Sequence, residues 1–348
     1  MSSEAVPGSA GSLPRPRPVA EYGAVDQATF AAIRESGQPA VLRNLGAGWP
    51  SVAAAKRSDE DLIGYLRRFR VDRPVGLVIG SPEIEGRFLY ADDMRALNFS
   101  RGTAPLDAFF DRLLNERAQP RPHALAVQSE EVPGLLPGFE RENRTELLGP
   151  AVTPRAWMGN RIRVAPHYDL LENIGVVVAG RRRFTLFPPD ELKNLYAGPL
   201  ELTPAGTPVS LVDVANPDLD RFPRFAEAAA RAQVAELSPG DAIYIPFHWW
   251  HAVDSLEPVN LFINYWWNDR PPEAGNPYEA LLFAMFAIKP LPDEQRSVWR
   301  AVFDHYIFGV NGDPAEHLPP HARGVLGEAT PEQLGRMRAT LRQLIQRL

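Results

Sequence analysis

Between residues 156 and 268 the sequence falls into short β-like runs separated by turns: WMGNRIRVA, NIGVVVAG, RRFTLFPP, GDAIYIPF, HAVDSL and VNLFINYWW. Several short strands with turn signals between them predict a β-sandwich or barrel. One excursion, about 190 to 236, interrupts the series, and NPDLDRFPRFAEAAARAQ within it reads as a turn and one helix. Upstream, DQATFAAIRESG opens on a capping Asp and closes on Gly, and SDEDLIGYLRRF has a Ser cap with acids in its first turn. Both are helix signatures. APLDAFFDRLLNER reads as an amphipathic helix. PAVLRNLGAGWP, VGLVIG, RFLYADDM and HALAVQSE read as strands near turns. After residue 270 the chain is helical, in NPYEALLFAMFAI, PDEQRSVWRAVFDHYIFG and TPEQLGRMRATLRQLIQRL. No internal repeat is seen. The fold class expected is mainly β with α flanks: a mobile tail over 1–20, a β-core domain with its α/β flank over 21–270, and a helical region over 271–348.

The bulk properties remove whole classes of chemistry. The chain has 348 residues and no cysteine. Disulfides, thiolate nucleophiles, zinc fingers and iron–sulfur clusters are therefore excluded. Any metal must be held by His and carboxylate. The net charge is -6, which argues against nucleic acid or an anionic membrane as partner. No run of apolar residues is long enough to span a bilayer. The N-terminus lacks the pattern of a signal peptide. The expected location is cytoplasmic.

Seven histidines are present, and two stand in suggestive places. His167 and Asp169 flank Tyr168 just before an apolar run. In extended backbone such i, i+2 side chains share a face, roughly 6–7 Å apart at Cα. His251 follows the strand launched by the turn SPGD. Two His and one carboxylate are the donor set of non-heme Fe(II) oxygenases, which leaves open positions on the metal. In RRRFTLF, period-2 reading groups Arg182 with Phe184 and Leu186, so Arg182 is expected inside. A buried guanidinium calls for an anion, and a carboxylate accepts its two-pronged face. Singly, each feature has a plainer reading: an HxD pair by chance, His251 as a core histidine, Arg182 as half of an internal ion pair. The combination points to a metal site. His123, His305, His317 and His321 read as surface residues, and His248 as a wall residue. Trp249 and Tyr168 either line or back the pocket or simply pack in the barrel core.

The stretch APHYDLLENIGVVVAGRRRFTLFPPDEL, followed by NPD..RFP.F and PGDAIYIPFHWWHAV, resembles the JmjC/cupin-8 family of Fe(II)/2-oxoglutarate oxygenases. It is similar to factor-inhibiting-HIF-type hydroxylases and their bacterial relatives. The resemblance is dense over about 155 to 268. It implies a double-stranded β-helix (jelly roll, cupin) core. It implies that His167, Asp169 and His251 bind Fe(II), and that the residue for the far carboxylate of 2-oxoglutarate, usually Lys in this subgroup, falls on Arg182. The family's two asparagines near metal and cosubstrate fall on Asn173 and Asn264. The C-terminal helices of such relatives form a homodimer interface. The hydroxyl expected three residues before the first His is Val164 here, and the HALAVQSE strand lacks the Tyr that often meets the cosubstrate.

The activity implied is hydroxylation of a C–H bond with O2 and 2-oxoglutarate, the substrate being a protein or peptide side chain or a small molecule. Two alternatives stand beside it. A non-catalytic cupin that binds or senses a small acid would use the same barrel. A Zn- or Mn-dependent cupin isomerase or hydrolase would want a further ligand, for which the sequence offers no candidate.

Overall fold

The computed structural model describes residues 13–270 and 274–347. The chain forms two compact units, Met1–Trp267 and Asn268–Leu348. Among the described residues the first unit holds fifteen strands. They are β1 (Arg17–Pro18), β2 (Ala20–Tyr22), β3 (Ala40–Leu42), β4 (Pro74–Gly80), β5 (Arg87–Phe88), β6 (Phe99–Pro105), β7 (Ala124–Glu131) and β8 (Pro154–Gly159). The series continues with β9 (Arg163–His167), β10 (Glu172–Ala179), β11 (Arg182–Phe187), β12 (Gln233–Leu237), β13 (Ala242–Ile245), β14 (Trp250–Ser255) and β15 (Asn260–Trp267). They pair into a six-stranded sheet of order β1-β12-β11-β14-β9-β5 and a nine-stranded sheet of order β2-β3-β13-β10-β15-β8-β7-β4-β6. Two such sheets, mostly antiparallel, are the jelly roll that the sequence led us to expect.

Alternation decides what each sheet buries. On β10 and β15, Ile174, Val176, Val178, Leu261, Ile263 and Tyr265 point outward into one core cluster. There they meet Phe30 and Ile33 of helix Gln27–Glu35, Leu62 and Leu66 of helix Asp59–Arg67, and Phe109 and Leu113 of helix Leu106–Glu116. The inward set, with Val177, Phe184, Ile243, Ile245, Val253 and Phe262, fills the barrel. Both faces of β10 are covered, which is why NIGVVVAG reads as an unbroken apolar run. The helix starts follow their caps: the Asp26 side chain accepts from Thr29 N at 2.8 Å, and Ser58 Oγ from Asp61 N at 3.0 Å. Helix Phe225–Arg231 of the excursion packs Phe225 and Ala228 with Phe187 and Trp250 on the outside of the smaller sheet.

Two local expectations are corrected. The tail expected over 1–20 is paired from residue 17 onward, with Arg17 N donating to Ala232 O and Val19 N to Val234 O, each at 3.0 Å; residues 1–12 lie outside the described set. Of RFLYADDM only Arg87–Phe88 is strand. Strands β6 and β12 carried no expectation. FSRGTAP is exposed along most of its length at the sheet edge, so it has no buried face to imprint an apolar pattern.

Gly175 has a packing reason. A Cβ there would lie 1.8 Å from Cζ of Phe262. The Phe262 ring fills the space that Gly175 leaves, and the Arg182 guanidinium lies over that ring at 4.7 Å. Gly175→Ala must therefore push the ring away, and an unfolding titration is expected to register a loss of about 1–3 kcal/mol, the usual cost of overpacking a core. An unchanged midpoint would mean that the ring has another place to go.

The second unit contains helices Pro277–Ala287, Asp293–Tyr306 and Pro331–Ile345, none of which buries a residue. No helix among the described residues is long and apolar enough to cross a membrane.

Candidate metal centre and its cavity

Strand register creates the centre. His251 on β14 and His167 at the end of β9 are opposite one another in the ladder. Their rings lie 4.3 Å apart, centre to centre. Asp169 follows two residues after His167, past the end of the strand, and its Oδ2 is 3.7 Å from His251 Nε2. One donor atom from each of the three residues falls within 4.8 Å of the others. Among the described residues no other three His or carboxylate side chains converge in this way.

The protein also fixes which atoms face inward. His167 Nδ1 lies 3.0 Å from Ala165 O, and His251 Nδ1 lies 3.0 Å from Trp249 O. A carbonyl only accepts, so each Nδ1 carries the hydrogen and each Nε2 keeps its lone pair for a cation. Burial first, and then the neighbouring His251, push His167 down to about 4, so the ring stays neutral, as a ligand must be.

Asp169 is held from two sides. Its Oδ2 accepts from Trp266 Nε1 at 3.0 Å and from Asn173 Nδ2 at 3.2 Å. Its Oδ1 accepts no hydrogen bond among the described residues. Behind these lies a one-way row of bonds. Trp157 Nε1 donates to Asn264 Oδ1 at 2.8 Å, and Asn264 Nδ2 donates to Asn173 Oδ1 at 3.3 Å. Asn173 and Asn264 are buried, at 5% and 1% exposure. Removing one donor from a ligand of this kind costs about 10–100-fold in metal affinity. Trp266→Phe is expected to weaken Fe(II) or Mn(II) binding by that factor with little change in the unfolding midpoint. A variant with unaltered metal affinity would show that Asn173 suffices to aim the carboxylate.

A cavity of about 550 Å³ contains the triad, Asn173, Asn264 and Arg182. All six residues singled out from the sequence therefore border one space. Arg182 is 6% exposed, its Nε has no hydrogen-bond partner, and burial pulls the group down to about 9, where it is still charged at neutral pH. A buried cation without a counter-charge is a site waiting for an anion. Val164 lies on the wall, as the sequence indicated.

Other wall residues were not singled out. Strand β7 breaks register between Val127 and Glu130, with Ser129 at φ 55°, and the bulge lets the successive residues Gln128 and Ser129 both face the cavity. Trp157, Trp266, Arg101 and Thr203 join them. Trp266 had a signal: in FINYWW it stands two residues after Asn264 and so shares its face. Tyr168 and Trp249 do not line the cavity. Tyr168 points away from the cavity, stacked 4.0 Å from His248 and packed on Trp250. Trp249 packs among the barrel residues but does not border the cavity, and donates to Gly37 O at 3.1 Å. The His123 side chain is 45% exposed, and its Nδ1 lies 3.1 Å from the nearly buried Glu116.

The residues present fit a resident metal and an acid beside it. The donor set is neutral imidazole and carboxylate, with no thiolate, which suits Fe(II). The unpartnered guanidinium in the same cavity suits a carboxylate.

His167 also makes the apoprotein acid-sensitive. The unfolded chain takes up a proton below the ordinary value of 6.5, while the folded protein resists it down to about 4. Stability is thus unaffected by this group above 6.5 and falls as pH drops from 6.5 towards 4. Chelator-treated protein is expected to lose melting temperature through that window, and His167→Gln to flatten the slope. The same slope in both would place the sensitivity elsewhere.

The sequence pattern of a family described as a cupin-like domain matches residues 26–273. HSPB1-associated protein 1 of Rattus norvegicus is 32% identical over 244 residues, 66% of this chain and 48% of that protein. Lysine-specific demethylase 8 of Danio rerio is 29% identical over 238 residues, 66% of this chain and 53% of that protein. The tRNA wybutosine-synthesizing protein 5 of Gallus gallus is 30% identical over 148 residues, 38% of this chain and 43% of that protein. The chain spans about half the length of these curated relatives, or less.

Proposed function

The chain belongs to the cupin-like, JmjC-type domain family, and on that premise we propose that it is an Fe(II)- and 2-oxoglutarate-dependent dioxygenase that hydroxylates a C–H bond. His167, Asp169 and His251 would hold the iron, and Arg182 would hold the far carboxylate of 2-oxoglutarate. Asn173 and Asn264 would orient the ligands. Iron, with O2 and the oxo acid, supplies the oxidising chemistry that no side chain here can supply. The chain's part is positional. The two histidine carbonyl bonds and the two donors on Asp169 fix the ligand atoms before a metal arrives. Phe262 supports the Arg182 plane from below, and the barrel's apolar lining keeps water from the reacting atoms.

The observation that carries the reading is the pairing, in one cavity, of a converging His/carboxylate triad with a buried guanidinium that has no counter-ion among the described residues. The test is anaerobic titration with Fe(II) and then 2-oxoglutarate. A weak visible charge-transfer band is expected, absent in His167→Ala and Asp169→Ala. If wild type gives neither the band nor succinate on admission of air, the reading fails.

A second reading has its own support. Val164 stands where a hydroxyl would meet the oxo acid, and β7 offers Gln128 and Ser129 but no Tyr. A non-catalytic cupin that binds or senses a small acid would tolerate that. It differs in binding the acid without consuming O2.

The relatives' names speak of association with HSPB1, of lysine-specific demethylation and of tRNA wybutosine synthesis. For this chain we favour a protein or peptide side chain or a small molecule as substrate; the net charge of -6 speaks against RNA. We take 21–270 as the catalytic domain and 271–348 as a homodimerisation region. In support, Phe286, Val298, Ile307 and Phe308 are 64–70% exposed, more apolar surface than a helical unit leaves bare by chance. Sedimentation of the full chain would read a dimer or refute it.

A further inference from the structure

The cavity carries two guanidinium groups, and one has no occupant so far. Arg182 is buried at the closed end. Arg101 is exposed at the mouth, on the edge strand β6. Its side chain is held rather than free. Cζ lies 5.3 Å from the centre of the Phe99 ring, and Nη2 donates to Pro204 O at 3.1 Å. Pro204 belongs to the loop Thr203–Gly206 that overhangs the cavity. Among the described residues Arg101 has no carboxylate within ion-pairing reach. Arg155, which lies over the cavity-lining Trp266, is by contrast paired with Glu131 at 3.1 Å. Three permanently charged residues border the cavity: Arg101, Asp169 and Arg182. Asp169 faces the metal position and Arg182 the cosubstrate's carboxylate, so Arg101 is the charge left without a counterpart.

The surroundings of Arg101 are mostly apolar. Phe88, Phe99 and Val209 form wall beside it, and the half-buried Gln128 amide has no hydrogen-bond partner among the described residues. A cation and an idle amide beside aromatic wall recognise one kind of molecule: an apolar body that ends in an acid. The volume of about 550 Å³, part of it needed for the cosubstrate, limits that body to a small one.

We propose that the cavity mouth is the subsite for the substrate, and that the substrate is a small acid with an apolar body whose carboxylate is bound by Arg101 with help from Gln128. The word substrate rests on the oxygenase reading; the acid subsite itself does not. The Pro204 contact gives the same guanidinium a hold on the overhanging loop, so binding of the acid and placement of the loop act through one side chain.

The experiment is calorimetry on the full chain, saturated with Mn(II) and 2-oxoglutarate, with 3-phenylpropionate and its neutral counterpart 3-phenylpropionamide as probes. The acid is expected to bind without displacing 2-oxoglutarate, and the amide about tenfold more weakly or worse, the loss of a charge-assisted bond. Arg101→Gln is expected to bring the acid down to the amide's level while 2-oxoglutarate binds that variant as before. Arg101 is exposed on an edge strand, so the melting temperature serves as the check that the variant folds. The proposal is overturned if the acid does not bind, if acid and amide bind alike, if the acid expels 2-oxoglutarate, or if Arg101→Gln keeps full affinity. 2-Oxoglutarate is titrated separately into wild type. Failure there strikes the oxygenase reading, and the acid titration on cosubstrate-free protein then still judges Arg101.

Discussion

Arg182→Met is expected to stabilise the ligand-free protein while removing its response to 2-oxoglutarate. The guanidinium is buried, its Nε has no hydrogen-bond partner among the described residues, and it lies over the face of Phe262. An uncompensated buried charge opposes folding, and replacing buried ionic groups by apolar ones of similar volume is often stabilising by 1–4 kcal/mol. Methionine fills similar space and is flexible enough to pack on the ring. The same change deletes the pair of charge-assisted bonds offered to a far carboxylate, so the affinity for 2-oxoglutarate should fall by about 100-fold or more. Thermal unfolding and anaerobic calorimetry with Mn(II) read the two effects separately. A variant that is less stable and binds 2-oxoglutarate normally would make Arg182 a structural residue and remove the anion site from the cavity.

Asp169→Asn separates charge from shape at the metal position. The amide can still accept from Trp266 and Asn173 through its oxygen, so the fold should persist. What disappears is the negative charge beside the two imidazoles. A divalent cation is then left with neutral donors only, and Fe(II) affinity is expected to drop by more than about 100-fold, beyond what loss of a supporting residue costs. Equilibrium dialysis with Fe(II) or Mn(II) measures it. Retention of tight binding would mean that the cation sits elsewhere.

Much of the centre could be read before folding because its pieces are local. His167 and Asp169 are marked by their spacing and Arg182 by alternation on its strand, whereas Asn173 and Asn264 are marked only by the family resemblance. The central strands left unbroken apolar runs because both their faces are buried. What could not be read comes from contacts between distant segments. Gln128 and Ser129 both reach the cavity through a register break in β7 that no local pattern encodes. Arg101 lies on β6, an exposed edge without an apolar face, and its role depends on a loop about a hundred residues further on. Tyr168 lies away from the cavity because alternation sends the residue between His167 and Asp169 to the far side. Gly175 gave no signal, since its reason is the shape of a ring on the neighbouring strand.

The row from Trp157 through Asn264 and Asn173 to Asp169 has a polarity set at its outer end. An indole nitrogen can give a hydrogen but never receive one. Each amide after it must therefore turn its oxygen upstream and its nitrogen downstream, and inverting any one would leave like poles facing at two junctions. The instruction reaches the carboxylate last. A tryptophan on β8 thereby dictates that it is the nitrogen of Asn173, and not its oxygen, that meets the carboxylate.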